Sequence, residues 1–167
     1  DFQQTVWDAC SRDILYFVNL FCWTYDPRKP NPKIPFITYP FQDNALQCLA
    51  EALPSREDRG HDVIIEKSRD MGASWMCLTL FYWKWTFHPL QSFLMVSRKE
   101  SLVDGSADSL FGHIDFLMKG VPKWMRPNCI RNKLKLINTD NGSKIEGEST
   151  NDNIGRGGRR TSMLIDE

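Results

Sequence analysis

The chain carries no net charge, because 21 Lys/Arg are balanced by 21 Asp/Glu. No global field therefore draws it onto nucleic acid or a membrane, although a local patch still can. No cysteine lies two to four residues from another. Cys10, Cys22, Cys48, Cys77 and Cys129 are scattered, which excludes zinc-knuckle spacing. Their number is odd and nothing at the start resembles a signal peptide, so reduced, mostly buried cysteines in a cytosolic protein are expected. No apolar run reaches the ~20 residues that span a bilayer. The longest, Ile14–Trp23 and Trp75–Phe87, are interrupted by Asn19 and Lys84. Repeats and low-complexity tracts are also missing. With 41% apolar and 25% charged residues the chain is neither disordered nor collagen-like. Its 167 residues suffice for one domain with a sizeable core. It opens at Asp1 rather than a methionine and stops at Glu167 directly after a hydrophobic run, so a piece of a longer protein is expected.

What is present alternates between helical and strand patterns. Ile14, Phe17, Val18, Phe21 and Cys22 predict a helix within residues 5–25, ending before Asp26-Pro27. Five prolines in residues 26–40 predict an extended connector. A second helix is expected over Gln42–Leu53. Asp62–Glu66 is short, apolar and β-branched, which predicts a buried strand. Lys67–Gly72 reads as a loop, Ser74–Phe87 as a helix apolar on most sides and therefore buried, and Ser92–Val96 as a second buried strand. An amphipathic helix is expected over Glu100–Lys119. Lys133–Asn138 and Ser143–Gly147 flank Asn141-Gly142, a strong hairpin signal. Ser162–Ile165 predicts a last buried strand. This alternation argues for an α/β fold with a mostly parallel sheet, to which the hairpin is an antiparallel addition.

A strand, a glycine-bearing loop and a buried helix form the layout of a phosphate-binding loop. Backbone N–H groups and the helix dipole there favour an anion. Against the pattern GxxxxGK[ST], Lys67–Ser74 (KSRDMGAS) keeps Gly72 and Ser74. Lys67 stands at the first glycine position and Ala73 at the lysine position. The strict motif fails, but Lys67 or Arg69 still offers a cation and Ser74 a hydroxyl for Mg²⁺. The plain alternative is a strand–turn–helix with surface charges. Met163–Glu167 (MLIDE) is a hydrophobic strand ending in two carboxylates, the form in which ATPases deliver an aspartate to a metal and a glutamate to water. Many buried strands end in acidic residues without such a role. Both stretches, however, end at the carboxyl side of strands, where open α/β sheets bind ligands.

In this order and spacing the chain resembles the ATPase domain of the large terminase subunit of tailed bacteriophages and prophages, the motor that packages DNA. Lys67–Trp75 resembles the family's deviant Walker A motif, whose cation moves to the start of the loop. Gly155–Arg160 (GRGGRR) with Thr161–Glu167 resembles its glycine/arginine segment and Walker B motif. Ser92–Glu100 resembles the second core strand and its loop, Tyr39–Gln42 (YPFQ) the adenine-recognition segment, and Phe17–Pro27 the N-terminal helix.

The resemblance implies a P-loop NTPase fold of the ASCE type, with helices flanking the sheet, an inserted β-hairpin and an N-terminal helix. Residues 1–60 would form the N-terminal helices and adenine side, and 61–167 the ATPase core up to Walker B. It implies ATP and Mg²⁺ as ligands. Lys67, with Arg69 as a second candidate, would contact the β/γ-phosphates. Ser68, Asp70, Met71, Gly72, Ala73 and Ser74 would complete the phosphate loop, with Ser74 on Mg²⁺. Gln42 would read the adenine edge, because an amide both donates and accepts. Asp166 would hold Mg²⁺ through water and Glu167 would be the catalytic base. Arg156 would be an arginine finger, or else contact DNA backbone or lie in a solvated loop.

Implied partners are double-stranded viral DNA, portal protein, the small terminase subunit and further copies in a ring, in the host cytoplasm and away from membrane. The family's fold places a further strand between those of Walker A and Walker B. That strand is absent from this sequence, so the fold is expected to be incomplete at its C-terminus and hydrolysis weak. Residues 121–160 hold nine Lys/Arg against four Asp/Glu, either a DNA-facing patch or a solvated hairpin. The aromatic residues lie mostly in apolar runs and are read as core rather than as a stacking platform. The alternatives are a helicase-like P-loop ATPase, which would more often keep the lysine that Ala73 replaces, and a non-catalytic DNA- or protein-binding module.

Overall fold

The computed structural model describes residues 1–55, 58–150 and 158–166. Two helices, α1 (Phe2–Arg12) and α2 (Ile14–Phe21), open the chain. The single helix expected there breaks at Asp13. Its backbone is extended (φ −132°, ψ 109°), and its carboxylate accepts from the N–H groups of Leu15 (2.8 Å) and Tyr16 (3.2 Å). An aspartate that satisfies the free donors of a new helix start is more stable there than inside a continuing helix. The expected connector contains a small antiparallel hairpin, β1 (Trp23–Tyr25) and β2 (Lys33–Pro35), with its prolines at the tip and ends. The helix α3 (Pro40–Ala52) begins on a proline, which costs nothing at the first helical position.

The helix α4 (Ala73–Phe87) is buried on nearly every side, as its apolar composition implies. Tyr82 and Trp85 are fully buried, Phe81 stacks on Phe93 at 4.4 Å, and the Trp83 indole donates to the Cys10 carbonyl at 2.7 Å. Next come β3 (Ser92–Ser97), α5 (Glu100–Asp104) and α6 (Leu110–Gly120). The helix expected over Glu100–Lys119 is two, because the chain turns at Ser106 and Ser109 caps α6 through Gly112 N–H (3.1 Å). The strands β4 (Cys129–Asn132), β5 (Lys135–Asn138), β6 (Lys144–Ser149) and β7 (Ser162–Ile165) complete a sheet of order β4-β5-β6-β3-β7.

The sheet is mixed rather than mostly parallel. β3 runs parallel to both β6 and β7, while β4–β5 and β5–β6 are antiparallel. The Asn-Gly hairpin lies between β5 and β6 as expected, and β6 itself is the parallel neighbour of β3. Phe93, Met95, Ile145 and Leu164 share the face on which α4, α5 and α6 pack. Gly147 is on that face because nothing larger fits. A Cβ there would lie 2.5 Å from Val103 Cγ1 and 2.9 Å from Phe111 Cε2. Most of the large aromatic residues belong to this core. Cys10, Cys22 and Cys77 are buried, Cys129 is partly covered and Cys48 is exposed, all as free thiols. Among the described residues no helix is long and apolar enough to cross a membrane.

One expected strand does not form. Asp62–Glu66 is exposed and joins no ladder, so the five-stranded sheet ends at β7. A strand exists only by hydrogen bonding to a neighbour, and a cavity of about 700 Å³ separates this segment from β7. Leu49, Leu53, Val63, Ile65, Leu80, Phe81 and Leu164 line it.

Substituting Gly147 by alanine should lower stability by about 1–3 kcal/mol through overpacking. The effect is to be read as a lower urea midpoint at unchanged m-value; an unchanged midpoint would contradict the close packing of α5 and α6 on β6.

Candidate functional site

At one end of this cavity the two sequence motifs meet. Lys67, Ala73, Ser74 and Asp166 all line it. The Ser74 hydroxyl donates to the Asp166 carboxylate at 3.2 Å, across 92 residues of sequence. Ser74 is held by the first turn of α4. Asp166 immediately follows β7, and its N–H donates to the Val96 carbonyl at 2.9 Å, which extends the parallel β3–β7 ladder by one bond. The pair therefore sits at the carboxyl ends of two parallel strands and the start of a helix.

The loop before α4 turns through two left-handed residues, Asp70 (φ 64°) and Gly72 (φ 77°). Gly72 is the N-cap and supplies no side-chain acceptor, so no cap side chain covers the first N–H groups of α4. A Cβ on Gly72 would lie 2.9 Å from Gln42 Nε2. Gln42 is buried. It accepts from the Tyr39 N–H at 3.0 Å and donates to the Met71 carbonyl at 3.2 Å. Its amide thus ties the start of α3 to the loop, a structural part that a sequence pattern for adenine recognition does not reveal.

Lys67, Ser68 and Arg69 are exposed, and among the described residues neither Lys67 nor Arg69 has an ion-pair partner. Arg156 and Glu167 lie outside the described residues.

Beneath the loop, Trp75 stacks on His113 of α6 at 4.3 Å and meets Phe116 edge-on at 5.9 Å. Burial holds His113 below the usual histidine range, with Asp108 and Asp166 pulling the other way. Burial, with the charge of Asp166 adding to it, pushes the Cys77 thiol up to about 11. A thiol held that high stays protonated at neutral pH, in keeping with the buried place of Cys77 in α4. A hydroxyl beside a carboxylate is a set of hard oxygen donors suited to Mg²⁺, which keeps several waters and is seldom caged by protein alone. Among the described residues no group of three or more His, Cys, Asp or Glu side chains is placed to hold a metal ion.

The basic segment is mostly engaged internally. Arg126 donates to the Val121 carbonyl at 2.7 Å, and Arg131 pairs with Asp104 (2.9 Å) and Asp115 (3.0 Å). Lys133 pairs with Glu100, and Lys135, Lys144 and Arg160 surround Glu146. The hairpin reading suits these six side chains better than a phosphate-facing patch.

Comparison with protein-family models and with curated protein sequences gives no match.

Burial alone would raise the Asp104 carboxyl, but hydrogen bonds from Arg131 and the Leu134 N–H outweigh it and hold the carboxyl below its usual range. A carboxylate depressed in the folded state stabilises the fold above its unfolded pKa and loses that contribution as pH falls through the folded value. Asp104→Asn should therefore be less stable than the parent at neutral pH. The difference should shrink on acidification below about pH 4, followed by chemical denaturation at several pH values. A gap that stays constant down to pH 2 would contradict the assignment.

Proposed function

We propose that this chain is the nucleotide-binding part of a P-loop ATPase, and within that class part of a phage-type large terminase, binding and hydrolysing ATP to drive viral DNA into procapsids. The observation that carries the reading is the 3.2 Å contact between Ser74 and Asp166 at the carboxyl ends of parallel strands. A loop hydroxyl and a strand-end carboxylate are the two protein donors such ATPases bring to their metal. The relocated lysine supports it too: Lys67 lines the same cavity as Ser74 and Asp166, where Ala73 supplies no charge.

In this reading the triphosphate lies against the start of α4, and the N–H groups of Gly72, Ala73 and Ser74 donate to its oxygens. Lys67 reaches the β/γ-phosphates from the beginning of the loop, with Arg69 beside it. Ser74, and Asp166 through water, would hold Mg²⁺, which would supply neutralisation of the phosphate charge. Glu167 orients and deprotonates the attacking water, and Arg156 of a neighbouring copy stabilises charge on the transferring phosphoryl group. Gln42 holds the loop in shape from below as well as adjoining the adenine side. The cavity beside β7 receives the further strand that the family's fold places there. Viral DNA, portal protein, the small terminase subunit, a ring of copies and the host cytoplasm belong to the same proposal.

Ligand that binds only the folded state raises apparent stability, by about 2.7 kcal/mol at a hundredfold excess over Kd. The melting temperature should rise with ATP and Mg²⁺ together. The rise should be lost in Lys67→Ala, and in Asp166→Asn it should no longer depend on Mg²⁺. No rise in the parent chain would overturn the ATPase reading. A rise retained in Lys67→Ala would move the cation's role to Arg69.

A further inference from the structure

The β1–β2 hairpin lies far from the phosphate loop in sequence, yet its tip touches it. Arg28 Nη1 donates to Asp70 Oδ2 at 2.8 Å, across 42 residues. The guanidinium is aimed by its own turn. Nε donates to Asp26 Oδ1 at 2.9 Å and Nη2 to Asp26 Oδ2 at 3.2 Å, while the Arg28 N–H also donates to Asp26 Oδ1 at 3.0 Å. The strand end that leads into this turn is anchored as well. Tyr25 meets Phe116 of α6 edge-on at 5.9 Å, and Phe116 meets Trp75, the neighbour of Ser74, at 5.9 Å. The hairpin, α6 and the first turn of α4 thus form one aromatic-packed support that presents Arg28 to the loop.

From this arrangement we infer that Arg28 is a further phosphate-binding residue of the proposed site, parked on Asp70 until a nucleoside triphosphate takes it over. The inference rests on the ATP-binding reading and adds to it a cation delivered from outside the ATPase motifs. Arg28 keeps one N–H on each terminal nitrogen without an acceptor among the described residues. Those are two charged donors that phosphate oxygens can take. Its pair with Asp70 is exposed, with about two-thirds of each side chain open to solvent, and an exposed ion pair is weak and readily exchanged. A triphosphate carries more charge than a carboxylate and outcompetes it. Asp70 sits in the same loop and would repel the same phosphates, so its pairing with Arg28 also screens the loop before ligand arrives.

The two partners of this bridge therefore have opposite effects on binding, which a merely structural bridge would not produce. ATP with Mg²⁺ is titrated calorimetrically into the whole chain and into Arg28→Ala, Arg28→Lys and Asp70→Asn. Asparagine tolerates the left-handed backbone of position 70, so Asp70→Asn removes charge without adding strain. Arg28→Ala should weaken ATP about tenfold. Arg28→Lys should fall between it and the parent, and Asp70→Asn should bind a few-fold more tightly. Equal changes of the same sign in Arg28→Ala and Asp70→Asn, or no change in either, would overturn the inference while leaving the ATP site standing. A parent chain that binds no ATP would remove both, and is recognised before any variant is compared.

Discussion

The burial of α4 is the constraint on which the other parts depend. A helix covered on nearly every side has to be enclosed by its neighbours, here α2, α3, α6 and the sheet, against which it packs its own Phe81, Tyr82, Trp83 and Trp85. Such side chains contribute about 1.5–3 kcal/mol each when removed from water. Once that axle is fixed, its first turn has one position, and Ser74 and the loop before it go where the helix puts them. The same burial leaves α4 without a continuous polar face, and its N-terminal turn opens onto the cavity.

The second fixed point is the parallel pair β3–β7. It carries Asp166 to the mouth of the helix, and the hydrogen bond from the Asp166 backbone to Val96 places the carboxylate opposite Ser74. A contact spanning 92 residues requires both elements to be placed independently. Around it are a loop bent by two left-handed residues, a glutamine tying that loop to α3, and an arginine reaching in from a hairpin. Each is a local device resting on the same two supports.

Much of this was legible in the residues. Apolar runs reveal α4 and β3 as buried elements, and Asn141-Gly142 marks its hairpin because few other pairs adopt that turn. β7 forms where its composition predicts, but as an edge strand that exposes Met163 and Ile165 rather than as the buried strand expected. Interruptions were less visible. Asp13 reads as one polar residue on a helix, and only the geometry shows it capping the next one. The Asp62–Glu66 segment has a strand's composition but no ladder, because pairing is a property of two segments and composition belongs to one. The meeting of Ser74 with Asp166 joins the first turn of a helix to the end of one strand, although the strand expected before the loop does not form, whereas the contacts of Gln42, Trp75, His113 and Arg28 are not announced by their neighbours in sequence. For Arg28 the Asp26-Pro27 turn is readable, but its partner Asp70 is not.

The central claim is that Ser74 and Asp166 form one metal–nucleotide site. Mn²⁺ substituted for Mg²⁺ broadens the amide signals of nearby residues, so the test is a backbone NMR spectrum of the chain with Mn²⁺, recorded with and without ATP. The account predicts ATP-dependent broadening centred on Gly72–Ser74 and Asp166, with distant amides such as those of β4 unaffected. Broadening centred elsewhere, or none at Ser74 and Asp166 when ATP is present, would contradict it.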